Sequence, residues 1–142
     1  LTPMGYYYTC NFHANSPFVI VGGAAGEIGY SKVDFWAADD CVVLNGNGKI
    51  LNRYIYHFLK TKEAIIKANV RKASIPRLSR SVLEQLQIPL PSIGEQEIIV
   101  TILDSFDSLC CDLGKGLPAE IEARQKQYEF YRDKLLNFKV LE

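Results

Sequence analysis

The C-terminal part of the chain carries an apolar seam that needs another surface to lie against. Apolar side chains recur every three or four residues along a seven-residue repeat, and most positions between them are charged or amidic. The seam consists of Leu117, Ile121, Tyr128, Tyr131, Leu135 and Phe138. A narrow seam with polar flanks is typical of a helix that pairs with another helix. Because an isolated helix of this length is only marginally stable in water, it requires such a partner.

We therefore predict that residues 117–142 form a long C-terminal helix that pairs as a coiled coil. The residues expected to make the pairing contacts are Ile121, Tyr128, Tyr131, Leu135 and Phe138. Arg124 interrupts the seam, and the repeat extends over only about three heptads, which is short for a coiled coil. A surface helix packed against its own domain therefore remains the alternative.

The first 90 residues have a different character. The segments YYYTCNF, PFVIV, EIGYSKVDFW and DCVVL are rich in β-branched and aromatic residues, with turn-forming residues between them. Helical spacing begins near Leu51, and a second short helix is predicted around Ile65 and Ile66. A helical turn near Ser79 and a short strand, LQIPL, complete this part of the chain.

A further helix is predicted to begin at Ser92, which forms a capping box with Glu95. Its apolar stripe, which includes Ile98, Ile102 and Phe106, is wide enough to pack into a globular core. The glycines of the segment GKG, residues 114–116, are expected to end this helix. The sequence thus predicts an α+β fold: a small mixed β-sheet with short helices over residues 1–113, followed by the long helix over residues 117–142.

The net charge of zero hides an uneven distribution. Residues 1–90 carry 10 Lys and Arg against 6 Asp and Glu, whereas residues 91–142 carry 6 against 10. The window from Lys49 to Arg80 contains nine cations and one acid, Glu63, and so has a net charge of +8. Such a segment attracts polyanions, although a solvated surface with scattered lysines is the alternative.

The glycine-rich segment VGGAAGEIGY raises the question of a nucleotide-binding loop. A dinucleotide fingerprint needs G-x-G-x-x-G at the start of a helix, but the segment has Gly22, Gly23, Gly26 and Gly29, and no helical pattern follows. A P-loop is excluded because no Gly-Lys-Ser or Gly-Lys-Thr ends the run. We therefore interpret the segment as a turn between two strands.

Catalytic and metal-binding patterns are weak throughout the chain. The four cysteines lack metal-ligand spacing, and their arrangement is that of a reduced, cytoplasmic protein. No apolar run approaches the ~18 residues of a membrane span. We expect no catalytic residue, metal or cofactor. The adjacent acids Asp39 and Asp40 are expected to form a turn with a cap. A metal-dependent hydrolase or nuclease using Asp39, Asp40 and Glu63 remains a weak enzymatic alternative.

Two C-terminal segments carry a family resemblance. The segment SIPRLSRSVLEQLQIPLPSIGEQEIIVTILDSFDSL, followed by GLPAEIEARQKQYEFYRDKLLNF, closely resembles the specificity subunits of type I restriction-modification enzymes. The matching features are the proline-punctuated Ile88–Pro91, the pair Glu95–Gln96, and the helix pattern over Leu117–Leu136. Upstream, GEIGYSKVDFWAADDC is similar to the glycine turn and following strand of that family's recognition domain.

The resemblance implies a function and a set of partners. Such subunits are not catalytic: two target recognition domains, separated by antiparallel helices, read a bipartite sequence in double-stranded DNA. They hold the methyltransferase subunit, which methylates adenine, and through it the restriction subunit. Residues 1–113 would then be one recognition domain lacking its N-terminal part, and residues 117–142 the spacer helix. We expect either a truncated piece or a half-subunit that forms a homodimer through that helix, with no membrane partner.

The resemblance also gives the basic window a purpose. Arginines and lysines beside loops can contact phosphates, and arginine can bind guanine with two hydrogen bonds. The residues predicted to contact DNA are Arg71, Lys72, Arg77 and Arg80 in the first place, and Lys32, Lys49 and Arg53 in the second. A protein–protein adaptor with a helical docking segment and no DNA readout is the competing interpretation.

Overall fold

The computed structural model describes the backbone of residues 3–136. Side chains are described from residue 3 to residue 108 and, in the C-terminal helix, at residues 117, 118, 120, 122 and 125–127. The chain divides into two compact units, one up to Thr101 and one from Ile102 onward. Among the described residues, no helix combines the length and apolar character needed to cross a membrane.

The first unit contains a three-stranded sheet. Its strands are β1 (Ser16–Ile20), β2 (Ile28–Ser31) and β3 (Cys41–Val43), in the order β2-β1-β3. Both hydrogen-bonded pairs are antiparallel, so the expectation of a mixed sheet was wrong. The short connection over residues 21–27 reverses the chain between β1 and β2, and an antiparallel pair needs no longer crossover than this.

The glycine-rich segment forms this reversal, as the sequence predicted. Gly23 and Gly26 adopt φ values of 73° and 88°, in the left-handed region that glycine enters without a steric penalty. The amide of Gly26 donates to the carbonyl of Ile20 at 2.8 Å, which closes the turn. The segment is a structural turn within the described fold.

Two predicted strands are not formed. Residues 6–10 of the YYYTCNF segment and the LQIPL segment lie outside the strands of the sheet. Aromatic and β-branched residues favour a strand only where a neighbouring strand offers cross-strand contacts, and proline removes a ladder donor. In place of a first strand, Phe12 forms one isolated bridge with Phe35.

Short helices cover the sheet and complete a small core. They are α1 (Asn52–Thr61), α2 (Glu63–Ala68) and α3 (Arg80–Glu84), at the positions that the sequence predicted. Side chains from the sheet, the three helices and the segment before α3 form the buried cluster. Its members are Val19, Val21, Ile28, Ile55, Leu59, Ile66, Leu78 and Leu83.

The helix α4 (Ile93–Leu136) begins at the predicted capping box. The amide and hydroxyl of Ser92 donate to Oε2 of Glu95 at 2.9 and 2.7 Å, and the Glu95 amide donates to Ser92 Oγ at 3.4 Å. The hydrogen bonds that the Ser92 hydroxyl and then the Ser92 amide donate to its carboxylate lower the pKa of Glu95. The helix continues through residues 114–118, so the end expected at the two glycines was wrong. Glycine disfavours a helix by about 1 kcal/mol relative to alanine but does not break it.

Three described residues of the apolar stripe of α4 are exposed, contrary to the expectation that they pack into a core. Ile98 and Phe106 are 62% and 60% exposed, and Ile102 is 51% exposed. Amphipathic spacing shows that a helix has an apolar face but does not specify which surface covers that face. The core of the first unit is instead filled from the sheet and from residues 55–83.

Candidate nucleic-acid interface

The most exposed part of the basic window is a short hairpin, here called the 71–77 hairpin. Arg71 and Arg77 face each other in an isolated bridge, and their backbones exchange hydrogen bonds of 2.8 and 3.2 Å. The residues between them include Lys72, Ser74 and Ile75, all of which are exposed. The structure therefore presents Arg71, Lys72 and Arg77 together on a five-residue projection and its two ends.

Backbone hydrogen bonds fix the base of this hairpin to the end of β1. The amide of Gly23 donates to the carbonyl of Pro76 at 3.0 Å, and the amide of Leu78 donates to the carbonyl of Val21 at 2.9 Å. Leu78 itself is buried in the core cluster. The base of the hairpin is thus hydrogen-bonded to the end of β1 and is not part of a long unattached loop.

A turn formed by Asp39 and Asp40, here called the 39–40 turn, holds two of the arginines. Nη1 of Arg77 lies 3.7 Å from Oδ1 of Asp40, and Nη2 of Arg80 donates to the carbonyl of Asp39 at 3.1 Å. The turn is tied to the sheet because the Val21 amide donates to the Asp40 carbonyl at 2.7 Å. The guanidinium groups of Arg77 and Arg80 therefore both lie beside the 39–40 turn.

The second group of predicted cations lies at the other end of β1. Lys32 follows β2, whose last residue, Ser31, pairs with Ser16 at the start of β1. The side chain of Asn52 donates to the carbonyl of Asn15 at 2.9 Å, and this contact brings the start of α1 to the same end. Because a strand rises ~3.3 Å per residue, the two groups are separated by roughly 20 Å along β1.

Within the second group, the three cations have different surroundings. The guanidinium of Arg53 lies over the rings of Tyr30 and Tyr56, 4.8 and 4.6 Å from their centroids. Lys32 and Lys49 are exposed. The carbonyl of Lys49 accepts a hydrogen bond of 3.1 Å from Gln96. The stacked position of Arg53 makes it a less mobile cation than the two lysines.

The acids of the enzymatic alternative lie among positive charges. Glu63, at the start of α2, forms ion pairs with Lys60 and with Lys67, the latter at 2.8 Å. Hydrogen bonds from Lys60 and then Lys67 lower the pKa of this carboxyl. Asp40 faces Arg77. Within the described part of the chain, Asp39, Asp40 and Glu63 do not come together at the distances of a shared metal ion, as a two- or three-carboxylate centre would require.

The residues predicted for helix pairing lie outside the described side chains. The backbone of Ile121, Tyr128, Tyr131 and Leu135 belongs to α4, whereas Phe138 lies outside the described residues altogether. Their role in pairing stays a prediction.

Three residues with clear positions were missed from the sequence. The sequence predicts a turn at Asp39 and Asp40, as the structure shows, but not the contact of Asp40 with Arg77. Gly22 is predicted only as part of a turn, and Gln96 only as part of a family pattern. Gln96 is fully buried and accepts a hydrogen bond of 2.9 Å from the Leu51 amide. An acid beside a basic window is a signal for ion pairing, but no local pattern indicates which arginine it meets.

Comparisons of the sequence with a family model and with known proteins agree with one another. The family model of the type I restriction modification DNA specificity domain matches residues 2–123. The type I restriction enzyme MpnII specificity subunit of Mycoplasma pneumoniae is 35% identical over 136 residues, which cover 95% of this chain and 41% of that protein. The Escherichia coli EcoR124I/EcoR124II specificity subunit is 45% identical over 91 residues, covering 63% of this chain and 22% of the relative.

A solved structure gives the same result. The crystal structure of the type I restriction-modification system S subunit from M. genitalium superposes with a TM-score of 0.65 and 27% sequence identity. The match covers 93% of this chain and 35% of that one. The chain spans less than half the length of each of these three proteins. The chain therefore belongs to the family of type I restriction-modification specificity domains.

Proposed function

We propose that this chain is a sequence-specific DNA-recognition part of a type I restriction-modification specificity subunit. It is non-catalytic and acts in the cytoplasm, where it positions methyltransferase and restriction subunits on a bipartite site in double-stranded DNA. Residues 1–113 serve as a target recognition domain, and residues 117–142 serve as the spacer helix. Family membership supports this assignment. The observation that supports it most directly is the grouping of Arg71, Lys72, Arg77 and Arg80 beside the end of β1.

The 71–77 hairpin has the form of a groove-reading element. The major groove of B-DNA, about 12 Å wide, admits a two-stranded ribbon. In the proposed complex, Arg77 and Arg80 read base edges, since both are oriented by the 39–40 turn. Arg71 and Lys72 contact phosphates, which supply affinity without sequence preference.

The second group of cations serves the same duplex in this proposal. The cations of this group, Lys32, Lys49 and Arg53, contact phosphates about 20 Å from the hairpin. That distance corresponds to roughly six base-pair steps along the axis of the DNA. Contacts at two points along the phosphate backbone of the DNA fix the orientation of the recognition domain on the duplex. This arrangement assigns base reading to one end of β1 and positioning to the other.

Adenine methylation tests the proposed function. When the full chain is expressed with a methyltransferase subunit from the same source, we expect methylated adenines confined to one sequence motif. The methyltransferase subunit expressed alone is the control and should leave that motif unmethylated. A stable complex that neither methylates a defined motif nor binds duplex DNA would contradict the proposal and favour the adaptor interpretation.

Pairing of the C-terminal helix is proposed from the apolar seam. Replacing Tyr128 and Leu135 together with aspartate places charges where apolar contacts are expected, and burying an unpaired charge is costly. In sedimentation analysis, we expect the wild-type chain to form dimers and the double variant to be monomeric, with the recognition domain still folded. The control Gln125→Asp, at an exposed position outside the seam, should leave the dimer intact. A wild-type chain that stays monomeric at high micromolar concentration would argue against pairing.

A further inference from the structure

We propose that Asp40 is a positioning residue for base reading by Arg77, and that Gly22 provides the space in which its carboxylate lies. This inference rests on the proposed DNA-recognition function and extends it to residues that need not touch DNA. The carboxylate of Asp40 lies 3.7 Å from Nη1 of Arg77, beside the hairpin that presents this arginine.

One residue of the sheet edge joins the two elements. The amide of Val21 donates to the carbonyl of Asp40 at 2.7 Å, and the carbonyl of Val21 accepts from the amide of Leu78 at 2.9 Å. Both the 39–40 turn and the base of the hairpin are therefore hydrogen-bonded to the same buried residue. Because Arg77 precedes Leu78, these two backbone bonds hold the backbones of Arg77 and Asp40 close enough for their side chains to meet.

Gly22 has a spatial role that its neighbours do not share. Gly23 and Gly26 are in the left-handed region, whereas Gly22 is not among the residues with positive φ. A Cβ atom at Gly22 would instead lie against the carboxylate of Asp40. Because that carboxylate is at the end of an exposed side chain, it would move aside and leave the fold intact. The glycine thus permits the Asp40 position that faces Arg77.

The ion pair contributes little to stability, so the role proposed for it is orientation of the arginine. The side chains of Arg77 and Asp40 are 65% and 57% exposed. An exposed pair of this kind is worth about 0–1 kcal/mol. A carboxylate beside a DNA-binding surface also repels phosphate and so weakens binding to every sequence. This general loss is the same for all sequences and leaves their ratio unchanged. The orientation of the arginine is therefore what raises the ratio between the affinity for the preferred sequence and that for all others.

Two variants separate the charge of Asp40 from its position. Asp40→Asn removes the charge, and Gly22→Ala keeps the charge but displaces the carboxylate. The dissociation constants of the full chain, bound to its methyltransferase subunit, are measured for a duplex selected from randomised DNA and for the unselected pool. We expect both variants to lower the ratio of selected to pool affinity by roughly fivefold or more, the lower end of the value of a base contact.

The pool affinity distinguishes the two variants. Asp40→Asn should bind the pool more tightly than wild type, whereas Gly22→Ala should bind it with unchanged affinity. Asp40→Glu should recover part of the ratio because it restores a carboxylate that can reach Arg77. The control is Asp34→Asn, which removes an exposed acid near the Ser16 end of β1 and should leave the ratio unchanged. Urea unfolding should give Asp40→Asn and Asp40→Glu the same free energy of unfolding as wild type.

The outcomes separate this inference from the function on which it rests. If Arg77→Ala lowers the ratio but Asp40→Asn and Gly22→Ala do not, Asp40 does not position the arginine and DNA recognition stands. If the wild-type complex selects no sequence from the randomised DNA, the proposed function fails and the inference fails with it.

Discussion

Replacing Gln96 with alanine is expected to lower the free energy of unfolding of the first unit by about 3 kcal/mol or more. The side chain is fully buried and makes three hydrogen bonds to backbone groups. Its Oε1 accepts from the amide of Leu51 at 2.9 Å, and its Nε2 donates to the carbonyls of Lys49 and Pro91 at 3.1 and 2.9 Å. A buried group that loses its partner costs roughly 1–3 kcal/mol, and the lower end applies to these three partly buried hydrogen bonds.

Urea unfolding followed by circular dichroism measures this loss. Gln87→Ala is the matched control, since Gln87 is an exposed glutamine in the same part of the chain. Its effect should stay within about 0.5 kcal/mol. Equal losses for the two variants would show that the hydrogen bonds of Gln96 do not hold the start of α4 to the segment before α1. The expected difference would explain why a glutamine follows the capping glutamate at the start of this helix.

Replacing Arg77 and Arg80 together with alanine is expected to remove most of the sequence preference in DNA binding. A good base-reading arginine is worth about 1–3 kcal/mol of discrimination, so affinity for the preferred duplex should fall at least tenfold. Affinity for a scrambled duplex should fall much less, because both arginines are proposed to read bases. The dissociation constants of the complex with the methyltransferase subunit, for the two duplexes, give this comparison directly.

A second variant shows whether base reading and phosphate binding are separate. Lys72→Ala should weaken binding to both duplexes equally, since a phosphate contact carries no sequence information. Lys126→Ala is the charge control: Lys126 pairs with Glu122 on α4 at 2.7 Å. If the double arginine variant lost affinity equally for both duplexes, Arg77 and Arg80 would be phosphate contacts and the assignment of base reading would be wrong.

Local chemistry made several elements predictable from the sequence. The capping box at Ser92 and Glu95 depends on residues three apart, and the glycine turn depends on the φ values that glycine alone adopts easily. Helices α1 and α2 followed from apolar spacing, and α3 lies at the helical turn predicted near Ser79. By contrast, residues 6–10 do not form the strand that their composition favoured, because strand formation depends on a partner elsewhere in the chain.

The candidate site was predictable only in part, for the same reason. Charge, the position beside serine- and proline-containing loops and the family resemblance together pointed to Arg71, Lys72, Arg77 and Arg80. Their grouping, however, depends on the pairing of residues 21–23 with residues 76–78, which are far apart in the sequence. The contact between Asp40 and Arg77 follows from that pairing. No local pattern could have predicted it, or the exposure of the apolar stripe on α4.

The salt dependence of DNA binding tests the central claim most directly. Each phosphate contact contributes ~0.9 to the slope of log affinity against log salt. A variant with alanine at Arg71, Lys72, Arg77 and Arg80 is compared with wild type, both bound to the methyltransferase subunit. With two of the four cations on phosphates, we predict a slope shallower by about 2 and loss of preference for the selected duplex. An unchanged slope together with an unchanged preference would contradict the claim that this edge binds DNA.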